Sequence, residues 1–317
     1  DGYNLQLANQ YPYVFGNIIK DDSYSNEMSN KSFWDNKINK FYVNEQQIPV
    51  AQYHFNTFKL NEYLTKITLE RGINIINDEI TDVNLANDGS ISSVSSADNI
   101  YDYDFYIDCT GFRKLLISKL GAEWQSHSDY LATDSAVVFQ TPDTDEYNMW
   151  SLSQGMKYGW MFRTPTYGRW GNGYIYDSNF LTPDEAVAEV EATLGQEIDP
   201  IKTVKFEAGR LNNSWIKNCF ANGLCSQFLE PLEATAIHNT IVQAELFSLN
   251  FLRNTIEDTC NVDSQKIYND QFRKTIDDIM HFLVMHYRGG REDTDFWKYV
   301  KNECSTEHVN MLIGTAK

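Results

Sequence analysis

The stretch Gly223-Leu224-Cys225-Ser226-Gln227-Phe228-Leu229-Glu230-Pro231-Leu232-Glu233-Ala234-Thr235-Ala236-Ile237-His238 constrains this chain more than any other. It leaves an apolar run, Cys219-Phe220-Ala221, crosses a polar loop and enters a helix. Pro231 marks the loop, because its ring fixes φ and removes a donor. Beyond it Ile237, Ile241, Ala244 and Ser248 fall on one helical face, with Leu246, Phe247 and Leu249 nearby. Thr235 is the expected N-cap. The backbone N–H groups of Ala236, Ile237 and His238 then lack intrahelical partners and attract anions. Glu233 stands just before them. One carboxylate beside such a helix start suggests chemistry that holds an anion and removes a proton. A capped helix with a solvated Glu is the plainer reading of the same residues.

Charge and length narrow the classes. A net charge of −18 argues against nucleic acid or an anionic membrane as partner, since both demand basic patches. With 317 residues and 42% hydrophobic content the chain can bury a sizeable core in one large or two ordinary domains. No apolar run is long enough to span a bilayer, and the N-terminus does not read as a signal peptide. Cys109, Cys219, Cys225, Cys260 and Cys304 are scattered without Cys-x-x-Cys spacing, so neither a zinc site nor a disulfide framework is indicated. A reducing cytoplasm fits. Aromatic residues make up 14%, which suits a flat aromatic ligand and an ordinary core equally.

Residues 1–50 read as loops with short elements. A helix follows Asn56, with Leu60, Tyr63, Leu64 and Ile67 at helical spacing and Arg71-Gly72 at its end. Ile73 to Ile76 reads as a short strand. Ile80 to Leu85 and Ile91 to Val94 read as strands joined by the turn Asn87-Asp88-Gly89. Tyr103 to Ile107 reads as a third strand, ending at Asp108-Cys109-Thr110-Gly111-Phe112. Leu115 to Leu120 begins a helix that Gly121 ends, and Ala136 to Gln140 is a strand. Thr182-Pro183-Asp184-Glu185 is a capping box with Pro at its first helical position, leading a helix that stops at Gly195. Beyond the opening block the pattern predicts helices over 236–254, 262–286 and 296–304. His281 and His286 lack metal-ligand spacing. His54 reads as a structural histidine.

Several segments together resemble the flavin-dependent tryptophan halogenases. Asn218 to His238 is similar to the family block in which Gly-Leu-Ser-Ser leads to Glu-Pro-Leu-Glu-Ser-Thr-Gly-Ile. Tyr13-Val14-Phe15-Gly16 resembles its His-x-Phe-Gly segment, and Gln52-Tyr53-His54-Phe55-Asn56 its Tyr-His-Phe-Asp-Ala segment. Trp160-Met161-Phe162-Arg163-Thr164-Pro165 resembles Trp-x-Trp-x-Ile-Pro, with Phe162 and Thr164 as departures. The segment 168–178 resembles the hairpin that follows in the family. Phe206 to Arg210 and Trp215 to Cys219 resemble two of its strands, and Arg288 to Trp297 resembles Arg-x-Asp-Thr-Pro-Phe-Trp.

The resemblance implies an α/β (α+β) chain with the FAD/NAD(P)-binding two-dinucleotide-binding-domain flavoprotein fold and a C-terminal helical substrate subdomain. It divides the chain into a FAD-binding module over 1–240, incomplete at its N-terminus, and a helical substrate-side subdomain over 241–317. The family's first glycine motif and catalytic lysine would fall before Asp1. The implied activity uses FADH2, dioxygen and a halide ion to halogenate an electron-rich aromatic such as an indole. Glu233 matches the catalytic carboxylate, Thr235 and Ala236 the halide-binding pair, and Leu224, Ile237 and Ile80 backbone contacts to FAD. Tyr13, Phe15 and Trp160 match substrate-binding aromatics. Ala234 and Ala236 replace the family's Ser and Gly. The implied partners are a small aromatic substrate and a separate flavin reductase, since no nicotinamide-binding glycine motif is present, and a homodimer is compatible. A flavin monooxygenase, or a degenerate flavin-binding protein without turnover, stays open beside this reading.

Overall fold

Two interleaved units divide the chain: Asp1–Ile75, Thr133–Phe206 and Gly290–Tyr299 form the first, and Ile76–Ala132, Glu207–Gly289 and Val300–Lys317 the second. The computed structural model describes residues 40–43, 46–49, 55–143, 151–166, 168–252, 258–288 and 291–315. Tyr13, Phe15 and His54 lie outside the described residues. Helices and sheets mix throughout, as an α/β class requires. No helix among the described residues is long and apolar enough to cross a membrane.

In the first unit, β1 (Lys40–Val43) and β2 (Gln46–Pro49) form an antiparallel hairpin. Helix α1 (Thr57–Glu70) starts where the Asn56 side chain accepts the N–H groups of Phe58 and Lys59, and it ends at Arg71 before Gly72 at φ +75°. The expected strand at 73–76 does not form: no strand among the described residues pairs with it, and Ile73, Ile75 and Ile76 are exposed.

In the second unit, β3 (Asp82–Leu85) and β4 (Ile91–Ser95) form the expected hairpin, and β5 (Ile100–Tyr101) completes a meander. Gly89 takes the left-handed conformation at its turn, φ +77°, where the Asp88 carboxylate accepts from the Ser90 N–H at 2.9 Å. The strand expected from Tyr103 narrows to β6 (Tyr106–Asp108), because the Tyr103 N–H is taken by the Tyr106 hydroxyl at 3.1 Å rather than by a ladder. The helix expected over 115–120 is a single 3₁₀ turn, Ile117–Leu120. β7 (Trp124–Ser126) follows.

The chain then enters the first unit's five-stranded antiparallel sheet. Its strands are β8 (Ser135–Pro142), β9 (Leu152–Gly155), β10 (Gly159–Thr166), β11 (Arg169–Tyr176) and β12 (Pro200–Lys205), in the order β12-β8-β11-β10-β9. β12 was not legible in the sequence. Helix α2 (Pro183–Leu194) carries the predicted capping box, with the Thr182 hydroxyl and Glu185 carboxylate bonded reciprocally, and stops at Gly195, φ +67°. Its Ala186 and Val190 pack on Val137, Phe139, Met161 and Tyr174 of the sheet.

Two hydrogen bonds bracket this excursion. The Phe206 N–H donates to Asp134 O inside the first unit, and the His127 N–H to Ala208 O inside the second, each at 2.8 Å.

Back in the second unit, β13 (Gly209–Leu211) pairs with β7. The segment Trp215 to Cys219 is not the single strand the sequence suggested. It is a hairpin of β14 (Trp215–Ile216) and β15 (Cys219–Ala221), turned by Lys217 at φ +50°. β15 lies parallel to β6. β16 (Gln227–Phe228) joins the other edge of β13. Helix α3 spans Thr235–Asn250, residues 253–254 of the expected 236–254 lying outside the described residues, and α4 (Val262–Tyr287) starts at an Asn261 cap. α5 (Asp295–Asn302) matches its prediction closely, whereas α6 (Glu307–Thr315), begun by a bond from the Val309 N–H to the Thr306 hydroxyl, was not foreseen.

The core of the second unit is aromatic. Phe220 stacks on Phe247 with centroids 4.6 Å apart, and Tyr268 meets both edge-on. This explains a correction on α3. The inward face is Asn239, Gln243 and Phe247, while Ile237, Ile241 and Ser248 are exposed. Phe247 enters the aromatic cluster and Gln243 meets the Ser226 hydroxyl, so packing partners outweigh the aliphatic spacing.

Candidate functional site

The site is built where β15 ends. The Asn222 side chain accepts the Gly223 N–H at 2.8 Å and donates to Thr240 O at 3.1 Å. This ties the 3₁₀ turn Gly223–Cys225 to α3. Gly223 is left-handed at φ +67°, which a residue with a side chain adopts only under strain. Leu224 sits in this turn, half-buried.

The turn is also fastened to the end of β6. Asp108 is fully buried and accepts the N–H groups of Leu116 and Ile117, both at 2.9 Å, and the Thr110 hydroxyl at 2.7 Å. Burial pushes its carboxyl up, but these donors together outweigh it and hold it below the usual range. The Cys225 thiol donates to Asp108 at 3.1 Å. Burial, then that bond and the neighbouring charge, push the thiol up to about 12, so it stays a protonated donor.

A second 3₁₀ turn, Leu232–Ala234, leads into α3. Glu233 and Ala234 both take left-handed backbone, φ 62° and 52°. Two successive non-glycine residues there store strain of about 1–3 kcal/mol each, and such strain collects at functional sites. The chain thereby turns sharply and drops directly into helix, with Thr235 already at φ −64°. Thr235 is therefore not the N-cap. That position belongs to Ala234, which has no side chain to cap with. The Thr235 hydroxyl instead points back to Glu230 O at 3.5 Å. The first turn of α3, with Thr235, Ala236 and Ile237, starts without a side-chain cap.

Two carboxylates of this loop meet the C-terminal turn of α4. Glu230 is fully buried and accepts the Tyr287 hydroxyl at 2.6 Å. Glu233 keeps 9% of its side chain exposed, and its Oε1 lies 3.6 Å from Nε2 of His286. Sequence reasoning missed this pairing. It weighed His286 only as a metal ligand, yet consecutive His-Tyr at a helix end opposite Glu-x-x-Glu was the available signal. No group of side chains that could hold a metal ion occurs among the described residues.

The arrangement brings together Leu224, Glu233, Thr235, Ala236 and Ile237 on one turn-and-helix segment of the second unit. Ile80, half-buried, precedes β3 in the same unit. Trp160 belongs to the first unit, where it is 5% exposed on β10 beside Phe162.

Comparison with known proteins identifies the family. The family model described as tryptophan halogenase matches residues 13–316. The chain is 32% identical over 312 residues to the 7-chloro-L-tryptophan 6-halogenase KtzR of Kutzneria sp. (strain 744), covering 94% of this chain and 58% of that protein. It superposes on the crystal structure of the tryptophan 6-halogenase SttH from Streptomyces toxytricini with a TM-score of 0.79 at 31% identity, over 83% of this chain and 52% of that one. For BrvH, a flavin-dependent halogenase from Brevundimonas sp. BAL3, the TM-score is 0.77 at 26% identity, over 87% of this chain and 58% of that one. The chain spans about half the length of the curated relatives it matches. A family match over nearly all of these residues, and a fold shared with solved members, leave one conclusion: the chain belongs to the tryptophan halogenase family.

Proposed function

We propose that this chain carries the halide- and substrate-side chemistry of a flavin-dependent halogenase that brominates or iodinates an electron-rich aromatic such as an indole. The carrying observation is the Glu233 carboxylate, 9% exposed, directly before a helix whose first turn has no side-chain cap. The names of KtzR and BrvH support the class of reaction.

FAD, delivered as FADH2 by a separate reductase, would supply the oxidising chemistry that makes halide electrophilic. The residues present fit a flat, partly apolar ring. A Cβ at Gly111 would meet nothing within 4 Å, so the backbone there is open to close approach. Phe112, Ile237 and Ile241 are 44%, 52% and 53% exposed, apolar side chains of the kind a ring system covers. Leu224, Ile237 and Ile80 are the residues proposed to hold it.

The N–H groups of Thr235 and Ala236 are proposed to bind the halide, aided by the helix dipole. Tyr13, Phe15 and Trp160 are proposed as walls for the aromatic substrate, and residues 241–317 as its helical side. When an electrophilic halogen adds to the ring, the carbon that receives it still bears hydrogen and the ring is cationic. Glu233 stabilises that charge. It then takes the proton as the C–H bond breaks and the electron pair returns to the ring.

Replacing Glu233 by Gln keeps the shape and removes the base. Halogenation should fall by about a hundredfold or more while FAD binding survives. Near-normal turnover of that variant sinks the reading. Phe162 and Thr164, which depart from the family's Trp-x-Trp-x-Ile-Pro, favour a second reading as an aromatic monooxygenase. Product mass separates oxygen from halogen insertion.

A further inference from the structure

We propose that His286 is the proton partner of Glu233, a positioning residue that orients the carboxylate and receives from it the proton removed from the substrate. The proposal rests on the function given to Glu233 above and adds what happens to the proton.

The geometry sets the tautomer. Nδ1 of His286 lies 2.9 Å from the carbonyl oxygen of Phe282, one turn earlier on α4. A carbonyl only accepts, so Nδ1 carries the hydrogen. In the neutral ring Nε2 is then bare, and its lone pair faces the Glu233 carboxylate. The separation is 3.6 Å, longer than a hydrogen bond. One proton can bridge these two acceptors. Supplying it turns the contact into a charge-assisted hydrogen bond, for which distances near 2.7–2.9 Å are usual.

The surroundings hold the ring in this orientation. Phe282 meets it edge-on at 4.7 Å between centroids, and 10% of the His286 side chain is exposed. The other charged or titratable groups at this end of α4 are engaged elsewhere. Tyr287 donates to Glu230, and the Arg288 guanidinium bonds to Lys301 O. Glu233 is the acid that faces His286.

The step balances. The substrate C–H bond breaks, its electrons restore aromaticity, and the proton passes to a Glu233 oxygen. It then moves to Nε2, leaving Glu233 anionic and His286 an imidazolium that donates from both nitrogens, to Phe282 O and to Glu233. Release of that proton to water resets the pair.

Two experiments test this. The first needs no turnover. Ring-nitrogen NMR of His286 at neutral pH should show hydrogen on Nδ1, and the Nε2 signal should move in Glu233→Gln. Hydrogen on Nε2 with bare Nδ1, or an Nε2 signal indifferent to that substitution, overturns the proposal. The second uses the FAD-loaded enzyme fed by a reductase. His286→Asn keeps an amide donor for Phe282 O but has no nitrogen to accept a proton. It should lower kcat at least about tenfold with KM unchanged, on the scale of losing a group that orients a catalytic one. In a Glu233→Gln background the same change should have no further effect, because His286 acts through Glu233. Undiminished kcat, or additive losses, refute the partnership. Failure of the underlying function looks different: Glu233→Gln alone would then turn over normally. His286→Phe, which keeps an aromatic ring against Phe282, repeats the kcat reading should the Asn variant fold poorly.

Discussion

Arg210 closes on Asp277 with both arms of its guanidinium, Nε to Oδ1 at 2.7 Å and Nη2 to Oδ2 at 2.8 Å, and Nε2 of His127 reaches the same Oδ1 at 3.2 Å. The clamp ties β13 to the middle of α4, the helix that carries His286 at its end. Arg210 keeps only 9% of its side chain exposed. Asp277→Ala would leave a buried cation without its counter-ion. The expected loss is about 3 kcal/mol, at the low end for a broken buried pair because Asp277 itself is 32% exposed. Urea unfolding measures it, and a loss below about 1 kcal/mol contradicts the clamp.

The same carboxylate predicts part of the acid response. Burial pushes Asp277 up, but hydrogen bonds from His127 and Arg210 outweigh it and hold it well below the usual carboxylate range. A carboxyl depressed in the folded state stabilises fully above its unfolded value of about 3.9, and that contribution fades as pH falls through the folded value. Stability should therefore be insensitive to this group between pH 7 and about 5 and drop below about 4. Asp277→Ala should flatten the acid limb by up to one proton's worth of slope. An unchanged limb refutes the assignment.

Asn269 supplies hydrogen bonds that a strand would otherwise give. Its Oδ1 accepts the N–H groups of Ser214 at 2.9 Å and Trp215 at 3.0 Å, and its Nδ2 donates to Trp215 O at 2.8 Å. Asn269→Ala strands these groups in the interior, which should cost about 3 kcal/mol. Amide exchange at Ser214 and Trp215 should accelerate in step. A variant as stable as the parent rules this out.

Ala234 is the place to look for stored strain. With φ at 52° and no side-chain cap, Ala234→Gly relieves a left-handed penalty of about 1–2 kcal/mol while freeing the unfolded chain by up to about 1. A net gain of about 0.5–1 kcal/mol is expected, read as a higher urea midpoint. A lower midpoint contradicts the left-handed start of α3.

Halide choice follows from the same residue. Ala234 offers no hydroxyl where the family has Ser, and a donor-poor site compensates less of an anion's lost hydration. Chloride loses most. The missing donor, worth about 1 kcal/mol, should outweigh crowding from the Ala236 methyl, so bromide or iodide should win over chloride at equal concentrations. Product masses from one electron-rich aromatic measure this, beside a control without protein. Predominant chlorination overturns the expectation, and Ala234→Ser should move the ratio toward chloride.

What the sequence disclosed was mostly local. The Thr182 capping box, the helix after Asn56, the Asn87-Asp88-Gly89 turn and the long α4 follow from residues within a few positions of each other, and all form. The family resemblance, resting on long-spaced segments, found its match over most of the chain. What stayed hidden depends on distant partners. Thr235 reads as a cap until the left-handed pair Glu233–Ala234 bends the backbone ahead of it. Ile237 and Ile241 read as the inward face of α3 until Phe220 claims Phe247. His286 stands 53 residues after Glu233, and no periodicity links them. Trp215 to Cys219 reads as one strand because nothing in the letters shows that Lys217 goes left-handed.

The paired bonds that bracket residues 133–206 bear on the order in which the chain assembles. The parallel pairing of β6 with β15 joins residues over a hundred positions apart, as Ile107 opposite Phe220 shows. Bringing the ends of a flexible loop of that length together costs about 4 kcal/mol of chain entropy before any contact repays it. The five-stranded sheet between them pairs only strands of residues 135–205, closing β8 on β11 and on β12, and so can form by itself, which draws Asp134 and Phe206 within one hydrogen bond. We therefore expect pulse-labelled amides of β8, β10 and β11 to gain protection before those of β6 and β15, and the reverse order would refute it. On that route the ribosome delivers the folded insert first, and the loop carrying Glu233 is shaped only after the sheet upstream of it has already set.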